Sequence, residues 1–260
     1  MKKYFISSVL FLIFNSADAQ NLTVAKAINM AGRQRMLVNK MAKSYMAIGG
    51  NIRASEASKD LDEISATFNE NQRELTNFAR SKETKDAIAI ANSIWSDYRM
   101  RLTSVPQIAN AESVIFDSKK LVNACNVVVE KIVLDYPTTA NAMLVNNCGK
   151  QRMLLQKIAM LYLAKSWGVD YSLLERDIKD TIIALDTNLT MLTSAKENTA
   201  ELITSLTFQK EEWAFLKNTF NSDVIKATNI YSSTNLMVKD FDDITAMYAK
   251  LAEEGKLSSK

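Results

Sequence analysis

The phrase "AGRQRML" at residues 31–37 returns as "CGKQRML" at residues 148–154. A chain that repeats itself at a fixed offset builds two copies of one unit, and each copy must find something to bury its apolar face against. The segment "INMAGRQRMLVNKMAKSYM" (28–46) aligns without a gap on "VNNCGKQRMLLQKIAMLYL" (145–163), at the offset of 117 that carries Arg35 onto Arg152. Asn29, Gly32, Gln34, Met36, Leu37, Lys40, Ala42 and Tyr45 meet identical residues at that offset. It also carries Lys59-Asp60-Leu61 onto Arg176-Asp177-Ile178 and Phe68 onto Leu185, with looser matching farther on. The chain reads as a tandem duplication, strongest in its first helix.

Each copy reads as four helices. Ile28, Ala31, Val38, Ala42 and Tyr45 keep a three-four spacing, as do Leu61, Ile64, Phe68, Leu75 and Phe78. Ile88, Ala91, Trp95, Tyr98 and Leu102 form a third stripe, and Ala111, Ile115, Val122, Cys125, Val129 and Ile132 a fourth. Only six Gly and two Pro interrupt 260 residues, which marks an all-helical composition. Stop signals fall at Gly49-Gly50-Asn51, near Ser81, at Pro106 and at Pro137, and in the second copy near Gly168, Asn198 and Ser222. Pro106 suits the first turn of a helix. The expected fold is all-α, two tandem up-down four-helix bundles, over residues 20–136 and 137–260.

Arg35 and Arg152 stand inside the first stripe of each copy. A guanidinium in such a seam needs a carboxylate, carbonyl oxygens, water or a bound anion, because an unpaired buried charge costs several kcal/mol. One reading is an ion pair with a neighbouring helix; the other is a ligand. Gly32 and Gly149 lie one turn earlier, mid-helix, where glycine costs about 1 kcal/mol relative to Ala. Close helix packing would explain them, and so would a ligand pressed against bare backbone. Glycine and arginine on adjacent turns favour a small anion.

Residues 1–19, "MKKYFISSVLFLIFNSADA", have the parts of a signal peptide: two lysines, an apolar run, and Ala17-Asp18-Ala19 before a mature start at Gln20. Export to the periplasm is expected, with no membrane span after cleavage. A net charge of +3 without basic tracts argues against nucleic acid. Zero histidines remove most zinc sites, His-based triads and imidazole shuttles, so neither a catalytic nor a metal site is expected, and no cofactor. The twelve methionines fall on different helix faces and read as core filling. Cys125 and Cys148 are equidistant from a turn at Pro137 and in an exported protein are expected to pair as a disulfide, the alternative being two unpaired core thiols.

At Ala31-Gly32-Arg33-Gln34-Arg35-Met36 the first helix resembles that of the PilJ/NarX-type periplasmic sensor domain, shared by nitrate/nitrite sensor kinases and type IV pilus methyl-accepting chemotaxis transducers. Gly149-Lys150-Gln151-Arg152-Met153 matches again, with Cys148 in place of Ala. The resemblance implies an up-down four-helix bundle. It also implies, as in the nitrate sensors, an anion held between the paired first helices of a dimer by one arginine from each. With both copies in one chain, the pair becomes an intramolecular pseudo-dimer with parallel first helices. One nitrate or nitrite ion is then expected between Arg35 and Arg152, against Gly32 and Gly149, while Arg33 and Lys150 point away. Since the sequence shows neither kinase nor methylation region, the function that follows is a soluble sensor reporting to a membrane receptor or sensor kinase. The rival is a ligand-free helical adaptor for a protein partner.

Overall fold

The computed structural model describes residues 22–136, 141–220 and 227–253. The signal segment, the Pro137 turn with the boundary between copies, and the break near Ser222 lie outside the described residues. Eight helices account for almost all of what is described: α1 (Val24–Gly49), α2 (Ala54–Phe78), α3 (Lys82–Leu102), α4 (Ile108–Asp135), α5 (Asn141–Trp167), α6 (Leu174–Thr193), α7 (Ala200–Phe220) and α8 (Ala227–Glu253).

Local chemistry sets the ends. Thr23 caps α1, its hydroxyl accepting from the Lys26 N–H at 3.3 Å, and Ser81 caps α3 through Thr84. Gly50 N–H closes α1 on the Met46 carbonyl at 2.9 Å. Pro106 stands just outside α4 and not in its first turn: Gln107 takes the cap position, and its N–H donates to Tyr45 Oη at 3.2 Å. That bond needs a donor where Pro has none.

Helices α1 to α4 form one bundle and α5 to α8 a second. Cross-helix hydrogen bonds fix the antiparallel order in each. Gln34 of α1 reaches Phe68 of α2, Trp95 of α3 reaches Asn69, and Arg101 meets Asp117 of α4. In the second bundle Gln151 reaches Leu185, Trp213 reaches Asp186, and Gln209 meets Asp240. The same buried positions recur. Leu61, Phe68, Asn71 and Leu75 of α2 reappear 117 later as Ile178, Leu185, Asn188 and Leu192 of α6. The shift is 118 from α3 to α7, where Trp95 maps onto Trp213, and 116 from α4 to α8, where Ser118 maps onto Thr234. One residue gained before α7 and two lost before α8, while the helices keep their buried faces, account for the looser match of the later helices.

The bundles join through α1 and α5, which run parallel. Arg152 of α5 meets Asn29 of α1, Asn39 Nδ2 donates to the Met153 carbonyl at 3.2 Å, and at the far end Trp167 packs on Tyr45. The Trp167 ring lies where a Cβ on Gly49 would stand, 2.2 Å from the nearest ring carbon, so the bare backbone of Gly49 is what admits it. Both helices are consequently buried on nearly every side, well beyond the stripes that spacing marks out.

The expected disulfide is corrected by the structure. Cys125 and Cys148 are free thiols, each buried in its own bundle. Helix α4 packs on α1 and α3, while α5 packs on α1, α6 and α8. Cys125 therefore lies near Arg35, and Cys148 meets Thr245 of α8. Burial pushes both thiols up to about 12, although the neighbouring arginines pull the other way. We expect neither to react with iodoacetamide at pH 8 in the folded protein and both to react in denaturant; a non-reducing mass showing a 125–148 bridge would contradict this.

Candidate anion site

Glutamine anchors each first helix from within the repeated phrase. Gln34 Nε2 donates to the Phe68 carbonyl at 3.1 Å, and Asn71 Nδ2 donates to Gln34 Oε1 at 3.3 Å. In the second bundle Gln151 and Asn188 repeat the pair, with Asn188 Nδ2 to Gln151 Oε1 at 2.8 Å. These amides fix the rotation of α1 and α5 about their axes, and so determine where the next residue points.

That next residue is the arginine, and both guanidiniums turn into the α1–α5 seam. Arg35 is 7% exposed and Arg152 2%. The two exchange asparagines across the seam: Arg35 Nη2 donates to Asn146 Oδ1 of α5 at 2.8 Å, and Arg152 Nη2 donates to Asn29 Oδ1 of α1 at 3.2 Å. Asn29 and Asn146 are one of the identical pairs of the repeat. Arg35 is further held by the Gly32 carbonyl (Nε, 3.2 Å) and by Asn126 Oδ1 of α4 (Nη1, 2.9 Å). Arg152 Nη1 instead meets a carboxylate, Asp242 of α8, and Arg152 Nε is buried with no partner among the described residues.

Arg35 therefore carries its charge against neutral oxygens. Burial lowers its pKa, Cys125 opposes that shift, and the proximity of Arg152 adds to it. The glycines mark where the guanidiniums come closest to bare helix backbone. Around the point where a Cβ on Gly149 would stand, the nearest atoms other than the helix's own backbone are Arg35 Nη2 of α1 at 3.5 Å and Arg152 Nη2 of the same helix at 3.6 Å. At Gly32 the corresponding neighbour is Arg35 Nη2 at 3.3 Å. Each Nη2 has two hydrogens and spends one on an asparagine, so both Nη2 atoms still have a donor. The four residues expected from sequence, Arg35, Arg152, Gly32 and Gly149, thus stand together, and Arg33 and Lys150 are exposed as expected. Asn29, Asn126, Asn146 and Asp242 were missed; the identity of Asn29 with Asn146 was the available signal for two of them.

Residues 17–113 match the PilJ family. Its description is "Type IV pili methyl-accepting chemotaxis transducer N-term", and the matched stretch takes in α1, α2, α3 and the start of α4. The first bundle is thus similar over most of its length to a sensor-type domain of chemotaxis transducers, and PilJ is a signalling family, not an enzyme family. No curated protein and no solved structure matches the chain. Among the described residues no helix is long and apolar enough to cross a membrane, and no three His, Cys, Asp or Glu side chains cluster to hold a metal.

One more cation is buried in the PilJ-like α1, and sequence reading passed over it. Lys43 is fully buried; its Nζ donates to Asn235 Oδ1 of α8 at 2.6 Å and lies 4.4 Å from the centre of the Tyr231 ring. Its counterpart at the repeat offset is Met160. Burial holds the Lys43 amine well below its ordinary 10.5, with Lys40 adding to the shift and Asp60 and Glu56 opposing it. Below that lowered pKa the amine is charged in both folded and unfolded states and bears the full burial penalty. Between it and 10.5 the unfolded chain binds the extra proton, so stability rises with pH. We expect Lys43→Met to stabilise the protein by about 1 kcal/mol or more at pH 7, the gain shrinking as denaturant melts are repeated up to pH 9.5. A constant difference across that range would contradict it.

Proposed function

We propose that this protein is a periplasmic sensor of a small oxyanion, nitrate or nitrite first, which it holds between Arg35 and Arg152 and reports to a membrane receptor or sensor kinase. The observation that carries this reading is the convergence of two buried guanidiniums on the bare backbone of Gly149 with a single carboxylate between them. Like charges so placed in a low dielectric repel strongly, and an anion among them relieves the repulsion. A planar oxyanion seated in van der Waals contact with the bare Cα of Gly149 would present its oxygens to both Nη2 groups and to the unpartnered Arg152 Nε. The arrangement is two-fold in character, which yields one anion per chain.

The repeated buried positions, the paired Gln–Asn and Trp contacts and the parallel α1 and α5 support a tandem duplication of the PilJ-like unit that makes, within one chain, the dimer two chains would otherwise form. The signal-like residues 1–19 support export. The adaptor reading draws on the asparagine cradle, which satisfies Arg35 without a ligand, and requires that no small anion bind.

Thermal melts with nitrate, nitrite, sulfate and acetate separate the two. At a hundred times its dissociation constant a true ligand adds about 2.7 kcal/mol. Arg35→Ala should lose that increment. Gly149→Ala should lose it too while folding normally, since its methyl group would take up the anion's space in ordinary contact with both Nη2 atoms and would gain up to about 1 kcal/mol of helix propensity. An unchanged melt for the wild type with every anion would leave the adaptor.

A further inference from the structure

The two arginines differ in one partner. The 116-residue shift that superposes the buried face of α4 on that of α8 brings Asn126 onto Asp242. Arg35 Nη1 is thus held by an amide and Arg152 Nη1, at the equivalent place, by a carboxylate. Asp242 is also placed differently from the arginine it serves: its side chain is 39% exposed and that of Arg152 is 3% exposed. It reaches the seam from a groove of about 350 Å³ between α1, α2, α5 and α8, whose lining includes Arg33, Lys40 and Lys239 as well as Asp60 and Glu63.

We propose that Asp242 is a resident competitor for the anion site: its carboxylate holds Arg152 while the site is empty and gives up part or all of that hold when an anion enters. The inference rests on the anion reading above. An incoming anion meets one guanidinium free of carboxylate, Arg35, and one already neutralised, so the Arg152–Asp242 contact sets the affinity. Asp242 can leave at low cost because the groove it comes from offers other cations, Arg33 and Lys239, both exposed.

Its release acts on the helix best placed to carry a signal. Besides Asp242, α8 carries Asn235, which holds Lys43 of α1, and Tyr231, whose hydroxyl donates to Asp60 Oδ2 of α2 at 2.7 Å. It is therefore tied to both bundles, and any shift in how it sits on α5 is transmitted to the first bundle.

Isothermal titration of the full chain with sodium nitrate tests this with two opposite variants. Asp242→Asn copies the Asn126 arrangement and should tighten nitrate binding about tenfold. Asn126→Asp copies the Asp242 arrangement onto Arg35 and should weaken binding at least tenfold while raising the melting temperature of the nitrate-free protein. Nitrate binding by the wild type with both variants within twofold of it overturns the competitor and leaves the anion site standing. Absence of nitrate binding in all three proteins overturns the anion site itself, and the competitor with it. Binding by Asp242→Asn alone supports both. Should Asp242→Asn fail to fold, Asn126→Asp decides: weakened binding with a higher melting temperature supports the competitor, and unchanged binding overturns it.

Discussion

Everything distinctive in this molecule follows from the parallel packing of α1 on α5. Two four-helix bundles can associate through any pair of faces, but these associate through the helices that carry an arginine in the seam. The result is two buried guanidiniums that face each other. Asparagines donated across the seam supply neutral acceptors, an amide from α4 and a carboxylate from α8 supply the rest, and one of the two guanidiniums, that of Arg35, has no carboxylate partner among the described residues. A stable interface would not ordinarily retain such a charge. A site that an anion completes would.

Burial on all sides also explains the polar content of these two helices. A surface helix needs one apolar stripe, whereas α1 and α5 face two bundles at once, and their polar residues must be satisfied inside. Gln34 and Gln151 do this by hydrogen-bonding α2 and α6, and in doing so fix the aim of the arginines beside them. Lys43 does it through Asn235, at the cost of a buried amine that its counterpart Met160 avoids. The two halves are therefore equivalent in backbone plan and unequal in charge, and the inequality falls on α8.

The architecture was legible because it depends on periodicity and punctuation. Four three-four stripes with breaks at Gly49-Gly50, Ser81 and Pro106 are enough to define four helices, and the offset of 117 is enough to define the second set. The position of Arg35 and Arg152 followed from counting along α1 and α5. What spacing along one helix cannot carry is the lateral order of helices. Equal distance from a turn set Cys125 and Cys148 level with each other, yet α4 leans on α1 and α3 while α5 leans on α1, α6 and α8, so each thiol faces a different neighbour. For the same reason Asn126 and Asp242, which complete the site from α4 and α8, had no signature in sequence. Their equivalence needs the shift of 116, and that shift is visible only from which residues are buried.

The most direct measurement of the central claim is anomalous diffraction from crystals grown with bromide, which substitutes for a small monovalent anion and is located without ambiguity. The account predicts one bromide per chain in the α1–α5 seam, beside the Cα of Gly149 and within hydrogen-bonding reach of both Arg35 and Arg152. Bromide found only on the surface, with the seam closed around Arg35 and its asparagines, would contradict it.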